Sequence, residues 1–170
     1  MKKIYLKKSN LKIRQKTQTL CFISIFCALA ISISFMEGLL IILPIMPPGF
    51  KPGFSNIITM FVVNCIGLFP AIVITTIKSL FVLLNKGTIA FIMSLCGGLG
   101  STFVIYLLLK IRNTKISSIF LGISGAITHN LIQLFVSSII ISPSVYYYLP
   151  CIILFALITG SLTGLLIKSI

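Results

Sequence analysis

Acidic side chains are almost absent from this chain. Its 170 residues include one carboxylate, Glu37, and no aspartate. A single carboxylate cannot provide the acid and base pair of a glycoside hydrolase. Without aspartate no Cys/His/Asp set can be assembled, and no Gly-x-Ser-x-Gly elbow occurs. The phosphate-cradling pattern Gly-x4-Gly-Lys-Ser/Thr is missing, so any uphill work would draw on a partner or an ion gradient. There is one histidine, and none of the five cysteines forms a Cys-x-x-Cys pair, which argues against a zinc site or any other metal. Cys21, Cys27, Cys65, Cys96 and Cys151 all fall in apolar stretches and read as reduced, small hydrophobic core residues. Nothing in the sequence calls for a cofactor.

Charge of either sign is scarce. Charged residues are 9% of the chain and hydrophobic ones 58%, against roughly 25% charged in a soluble domain. These proportions describe an all-α integral membrane protein with no room for a soluble domain. The fourteen Lys and Arg are unevenly placed. Seven stand in residues 1–16, as Lys2, Lys3, Lys7, Lys8, Lys12, Arg14 and Lys16. A basic flank before an apolar span is a positive-inside signal rather than a nucleic-acid surface. The apolar stretch from Thr19 to Met46 is too long for a secretory signal core, so it reads as a retained first span.

Six spans are expected: Thr19 to Leu43, Ser55 to Phe69, Ala71 to Leu84, Ile89 to Leu109, Ser118 to Ile141 and Leu149 to Ile167. Pro70 separates the second from the third, and both are short. With six spans and an inside N-terminus, the inner side holds the tail, Lys110, Arg112, Lys115 and Lys168, eleven charges in all. The outer side holds Lys51 and Lys86, and Lys78 lies within the third span. The expected organisation is therefore a basic cytoplasmic tail, residues 1–16, and one six-helix membrane domain, residues 17–170. Both termini are expected in the cytoplasm of a multi-pass cell-membrane protein. Small residues recur at interval four, as Ser24, Ala28 and Ser32 in the first span and Gly160 and Gly164 in the last. Such faces let helices approach closely, most simply within the protein itself.

Polar groups at membrane depth are costly and by default mark function. The candidates are Glu37, Lys51, Asn56, Asn64, Lys78, His129, Asn130 and Gln133. His129 and Gln133 share a helical face, and Asn130 pairs with Gln133 at spacing three. They either hydrogen-bond between helices or line a cavity. Glu37 is expected to pair with Lys51 or Lys78, or to sit near the interface. The stretch Lys51-Pro52-Gly53-Phe54-Ser55-Asn56 carries a cation to a helix start with Ser55 as N-cap. It reads as an anion receptor or as an ordinary solvated loop.

The end of the first span with Glu37, then KPGFSN, then GAITHNLIQ, then GSLTG together resemble the Gx transporter family, also called heptaprenyl diphosphate synthase component I. The resemblance covers about residues 17 to 168. That family's Lys-x-Gly-x-x-Asn falls on Lys51, Gly53 and Asn56, and its Gly-x-x-x-His-Asn-x-x-Gln on Gly125, His129, Asn130 and Gln133. It is similar in turn to the substrate-binding S components of energy-coupling-factor transporters. The resemblance implies a six-helix bundle of S-component type that binds a vitamin-like or small precursor molecule from outside. Glu37, Lys51, Gly53, Asn56, His129, Asn130 and Gln133 would bind that substrate. It also implies docking on a coupling subunit and ATPases through the small-residue face of the first helix, here Ser24, Ala28 and Ser32. The alternative is a non-catalytic membrane accessory of polyprenyl diphosphate synthesis. Prenyltransferase-like elongation needs Asp-rich motifs that hold magnesium, which this chain lacks. A structural subunit of a redox complex is a third reading.

Overall fold

The computed structural model describes residues 2–40, 53–111 and 116–169, with side chains from residue 16 onward except that of Leu40. Lys51, Arg112 and Lys115 lie outside the described residues. Among the described residues there are five α-helices rather than the six expected: α1 (Lys2–Leu40), α2 (Asn56–Cys65), α3 (Leu68–Lys110), α4 (Ser118–Ile140) and α5 (Leu149–Ser169), with a 3-10 turn at Pro143–Tyr148 before α5. Among the described residues four segments are long and apolar enough to cross a membrane: Lys16–Leu39, Leu68–Lys110, Ser118–Ile140 and Pro143–Ser169. They make the chain consistent with a multi-pass membrane protein.

The count is one lower than expected because the third and fourth expected spans run into one another. The third and fourth expected spans belong to one helix, α3, whose 43 residues would reach about 65 Å at ~1.5 Å per residue, twice a ~30 Å hydrocarbon core. Gly87 breaks it, with φ 83°, a conformation that glycine adopts without steric penalty. The two limbs then fold back on each other. The Thr75 and Thr102 hydroxyl oxygens lie 3.4 Å apart, and Ser79 Oγ donates to Ser94 Oγ at 3.4 Å. The other break is Gly67 (φ 127°), not Pro70. Pro70 stands in the first turn of α3, where an amide hydrogen has no intrahelical acceptor, so its ring costs nothing there. α2 stops before Gly67 after 10 residues, about 15 Å, too short to span.

At one end, Ile23, Leu109, Ile116 and Ile167 pack on a core that includes Cys27, Val63 and Ile105. Lys16, Lys110 and Lys168 therefore belong to the same end of the bundle. At the opposite end Lys86 Nζ donates to the Gly38 carbonyl at 3.3 Å, meeting the last carbonyls of α1. The expected small-residue pair Gly160 and Gly164 serves α4–α5 packing. A Cβ on Gly160 would lie 2.6 Å from Ile123 Cα, and one on Gly122 would lie 2.8 Å from Gly164 N. Of the cysteines only Cys27 is buried; Cys21 and Cys65 face outward, contrary to the core role expected of them.

Candidate functional site

α2 starts deep inside the bundle, so the polar residues at its N-terminus meet those of α1, α3 and α4. Glu37, the only acid, is 2% exposed. Its Oε1 accepts the backbone N–H of Ser55 at 2.8 Å, and its Oε2 accepts the Ser55 hydroxyl at 3.2 Å. Lys78, from the first limb of α3, is equally buried. Its Nζ donates to Ser55 Oγ at 3.1 Å and to Asn56 Oδ1 at 3.1 Å. Ser55 thus joins the two charges. Lys78 does not snorkel to an interface, and its ammonium is the partner a buried carboxylate requires. Ser55 occupies the N-cap position but makes no capping bond, because its hydroxyl is committed to Glu37 and Lys78.

This arrangement changes the reading of the KPGFSN stretch. The N-terminus of α2 does hold an anion, but the anion is Glu37 of the same chain. Gly53 is buried, with φ 91°, and its missing side chain lets α2 and α4 come close. A Cβ there would lie 3.2 Å from Asn56 Nδ2, 3.3 Å from His129 Cδ2 and 3.9 Å from Asn130 Oδ1. Gly53, Asn56, His129 and Asn130 therefore converge. Gln133 follows one turn along α4, against Gly97 of the second α3 limb, where a Cβ would lie 3.0 Å from Gln133 Cγ and 3.1 Å from His129 Nδ1. His129, Asn130 and Gln133 are all buried. Among the described residues neither amide atom of Asn130 has a hydrogen-bond partner, and the same is true of Asn56 Nδ2 and Ser137 Oγ. Such groups are costly away from water.

Residues 26–170 match the family of heptaprenyl diphosphate synthase component I. The chain belongs to that family. No curated protein and no solved structure matches it. This component I chain is not itself an enzyme: the family is a non-catalytic component of the synthase. The chemistry agrees, since one carboxylate already bound to Ser55 has no second acid with which to hold magnesium on a diphosphate. Among the described residues no group of three His, Cys, Asp or Glu could hold a metal ion.

Of the expected substrate residues, Gly53, Asn56, His129, Asn130 and Gln133 gather at one place, with Glu37 behind Ser55 on the far side of Asn56. Asn64 lies exposed near the end of α2 and takes no part. Lys78 was expected as a possible partner of Glu37 but not as a ligand residue, and Ser55 was expected at the helix N-terminus that would meet an anion. The signal for Lys78 was present, an ammonium in the middle of an apolar run. Its partners, however, are Ser55 and Asn56 at the start of α2, 23 and 22 residues earlier. A cavity of about 210 Å³ lies between α1 and α3, one helical turn toward the Lys86 end, among Ser34, Phe35, Gly38, Phe81, Val82 and Lys86. The expected docking residues Ser24, Ala28 and Ser32 face outward. Their hydroxyls donate back into α1, Ser24 to the Leu20 carbonyl and Ser32 to that of Ala28.

Proposed function

We propose that this component I chain is a non-catalytic membrane subunit that binds a small molecule at the Gly53–Asn56–Asn130 cluster and serves polyprenyl diphosphate synthesis beside the catalytic subunits. The observation that carries the binding is Asn130, wholly inside the bundle with both amide atoms unbonded. An amide that only tied helices together would spend those atoms on a neighbouring helix. The synthase assignment is taken from the family description, and the shortage of acids limits the chain to an accessory part. Lys51 and His129 would complete the site. The basic end with Lys16, Lys110 and Lys168 would face the cytoplasm, which puts both termini there and opens the site toward the outside.

A second reading is a transport subunit of S-component type, energised by a coupling subunit and ATPases. It is favoured by the outward, apolar face of α1, where Ser24, Ala28 and Ser32 stand exposed beside Phe22, Ile25 and Leu29. Affinity purification of the tagged full chain from its own membranes separates the two. A soluble prenyltransferase subunit in the eluate supports the synthase role; a membrane coupling protein with ATPases supports transport. A chain that elutes with neither, under mild detergent, contradicts both. Mass spectrometry of the small molecules in the same eluate tests the shared binding site.

A further inference from the structure

The cavity between α1 and α3 is separate from the Gly53 cluster, and its walls are of another kind. It holds about 210 Å³ and is partly open to the outside, with Phe35 and Leu39 of α1 and Phe81 and Val82 of α3 as its apolar wall. The Phe35 and Phe81 rings meet there edge to face, 6.4 Å between centroids and 70° between planes. Phe35 is 48% exposed and Leu39 55%, and Leu80 and Leu84 of the same α3 limb also face outward. In a bilayer such a surface faces hydrocarbon. Water finds few hydrogen-bond partners in a cavity of this kind, and chain carbon suits it better.

Among the described residues one charged group lines this cavity. Lys86, the residue before the Gly87 break, is exposed. Its Nζ donates to the Gly38 carbonyl at 3.3 Å, longer than the usual about 2.9–3.0 Å. An ammonium has three donors, so two remain for another acceptor. Gly38 makes room for the lysine stem, because a Cβ there would lie 2.9 Å from both Lys86 Cε and Lys86 Nζ. No positive φ calls for glycine at that position. The height of the ammonium is also set. The apolar part of α1, Lys16–Leu39, has 24 residues, about 36 Å at ~1.5 Å per residue, just over a ~30 Å hydrocarbon core. Lys86, beside Gly38, therefore stands where lipid phosphates begin, across the bilayer from Lys16.

The sign of the head follows from the shortage of acids. The one carboxylate of the chain, Glu37, is bound to Ser55 through both oxygens. A zwitterionic head would bring an ammonium of its own to a rim with no carboxylate to receive it. A further lysine at this level would strengthen the preference for negative charge, not reverse it. We infer that this cavity binds an anionic phospholipid of the surrounding bilayer, with its phosphate on Lys86 and part of one acyl chain against Phe35, Leu39, Phe81 and Val82. The site does not depend on what the Gly53–Asn56–Asn130 cluster binds.

The test uses the full chain in lipid nanodiscs doped with phosphatidylglycerol or phosphatidylcholine that carries a diazirine in one acyl chain, near the head. Crosslinked residues are mapped by peptide mass spectrometry. Mapping by residue keeps the basic end, which also attracts anionic lipid, out of the reading. Phosphatidylglycerol is expected to label Phe35, Leu39 and Phe81 at least fivefold more than phosphatidylcholine, while exposed Leu154 of α5 is labelled equally by both. Lys86→Gln should bring the two lipids level at the cavity, with phosphatidylcholine labelling unchanged as the control for folding. Val82→Phe keeps the lysine and fills the cavity, and should cut phosphatidylglycerol labelling of Phe35 at least fivefold. Equal labelling by both lipids in the parent overturns the inference, as does a preference that survives Lys86→Gln or labelling undiminished by Val82→Phe. Labelling by a diazirine-bearing isoprenyl phosphate, with none by phosphatidylglycerol, overturns it as well and gives the cavity to another ligand.

Discussion

Replacing Lys78 by methionine keeps the length of the side chain and removes its charge. In the folded protein this leaves the Glu37 carboxylate, 2% exposed, without the ammonium that shares Ser55 with it. It also strips Asn56 Oδ1 and Ser55 Oγ of a donor. Breaking a buried pair from one side costs about 3–5 kcal/mol. Glu37→Gln breaks it from the other side, stranding the ammonium, at a similar cost. The double variant strands neither charge. It loses the two bonds from Lys78, each worth about 0.6–2 kcal/mol within a membrane bundle, so a total loss of about 1–4 kcal/mol is expected. The two substitutions should therefore be strongly non-additive: the pair together should do less harm than the sum of the singles by several kcal/mol. Unfolding by SDS titration in mixed micelles, followed by far-ultraviolet circular dichroism, measures all four corners of the cycle. Additive losses, or a Lys78→Met protein within 1 kcal/mol of the parent, would refute the shared-serine charge relay.

Three other substitutions probe other parts of the architecture. Gly122→Ala drives a methyl into the backbone of α5 at Gly160 and Gly164 and should cost about 1–3 kcal/mol or more. Gly87→Ala meets no atom within 4 Å and should cost about 1–3 kcal/mol through backbone strain alone; a Gly122→Ala protein as stable as the parent would contradict the close α4–α5 approach. Ala28→Leu on the outer face of α1 should leave the melting temperature unchanged, while any membrane partner held on that face is lost from the purified complex; an undiminished partner places docking elsewhere. In intact cells a membrane-impermeant amine reagent should label Lys86 and spare Lys16, Lys110 and Lys168, read by peptide mass spectrometry, and the reverse pattern inverts the proposed topology.

The last two expected spans, Ser118 to Ile141 and Leu149 to Ile167, lie close to α4 and α5 because long apolar runs bounded by polar residues leave little choice in a bilayer. The middle of the chain was harder to read. Pro70 looked like a boundary, but a proline breaks a helix only where its N–H is needed, and the first turn does not need it. Gly67 and Gly87 make the actual breaks through positive φ. Their composition does not distinguish them from glycines such as Gly97 and Gly98, which lie inside a regular helix and pack against a neighbour. The same residue type ends one segment and tightens another, and only the tertiary fold decides which. The α4 residues His129, Asn130 and Gln133 were legible one by one, since each is a polar group in an apolar helix. Their neighbours were not, since Gly53 and Asn56 reach them from a segment more than seventy residues earlier in the chain.

Glu37 shows why residue type alone misjudged the chemistry of the α2 start. A lysine, a turn fixed by proline and glycine, and a helix N-terminus together describe a receptor for an anion, and an anion is indeed bound there. It is supplied by α1, 18 residues before the serine whose N–H it takes. Once that carboxylate is seated, the ammonium of Lys78 balances it, and the electrostatic capacity of this layer is turned inward to hold α1, α2 and α3 together. The amides on the other side of Asn56 face a different task. They carry no charge to balance, no helix end to cap, and no bond of their own at Asn130. In a short helix that begins inside the bundle rather than at its surface, charge fixes the position of Asn56, and the proposed binding site takes its remaining N–H together with Asn130.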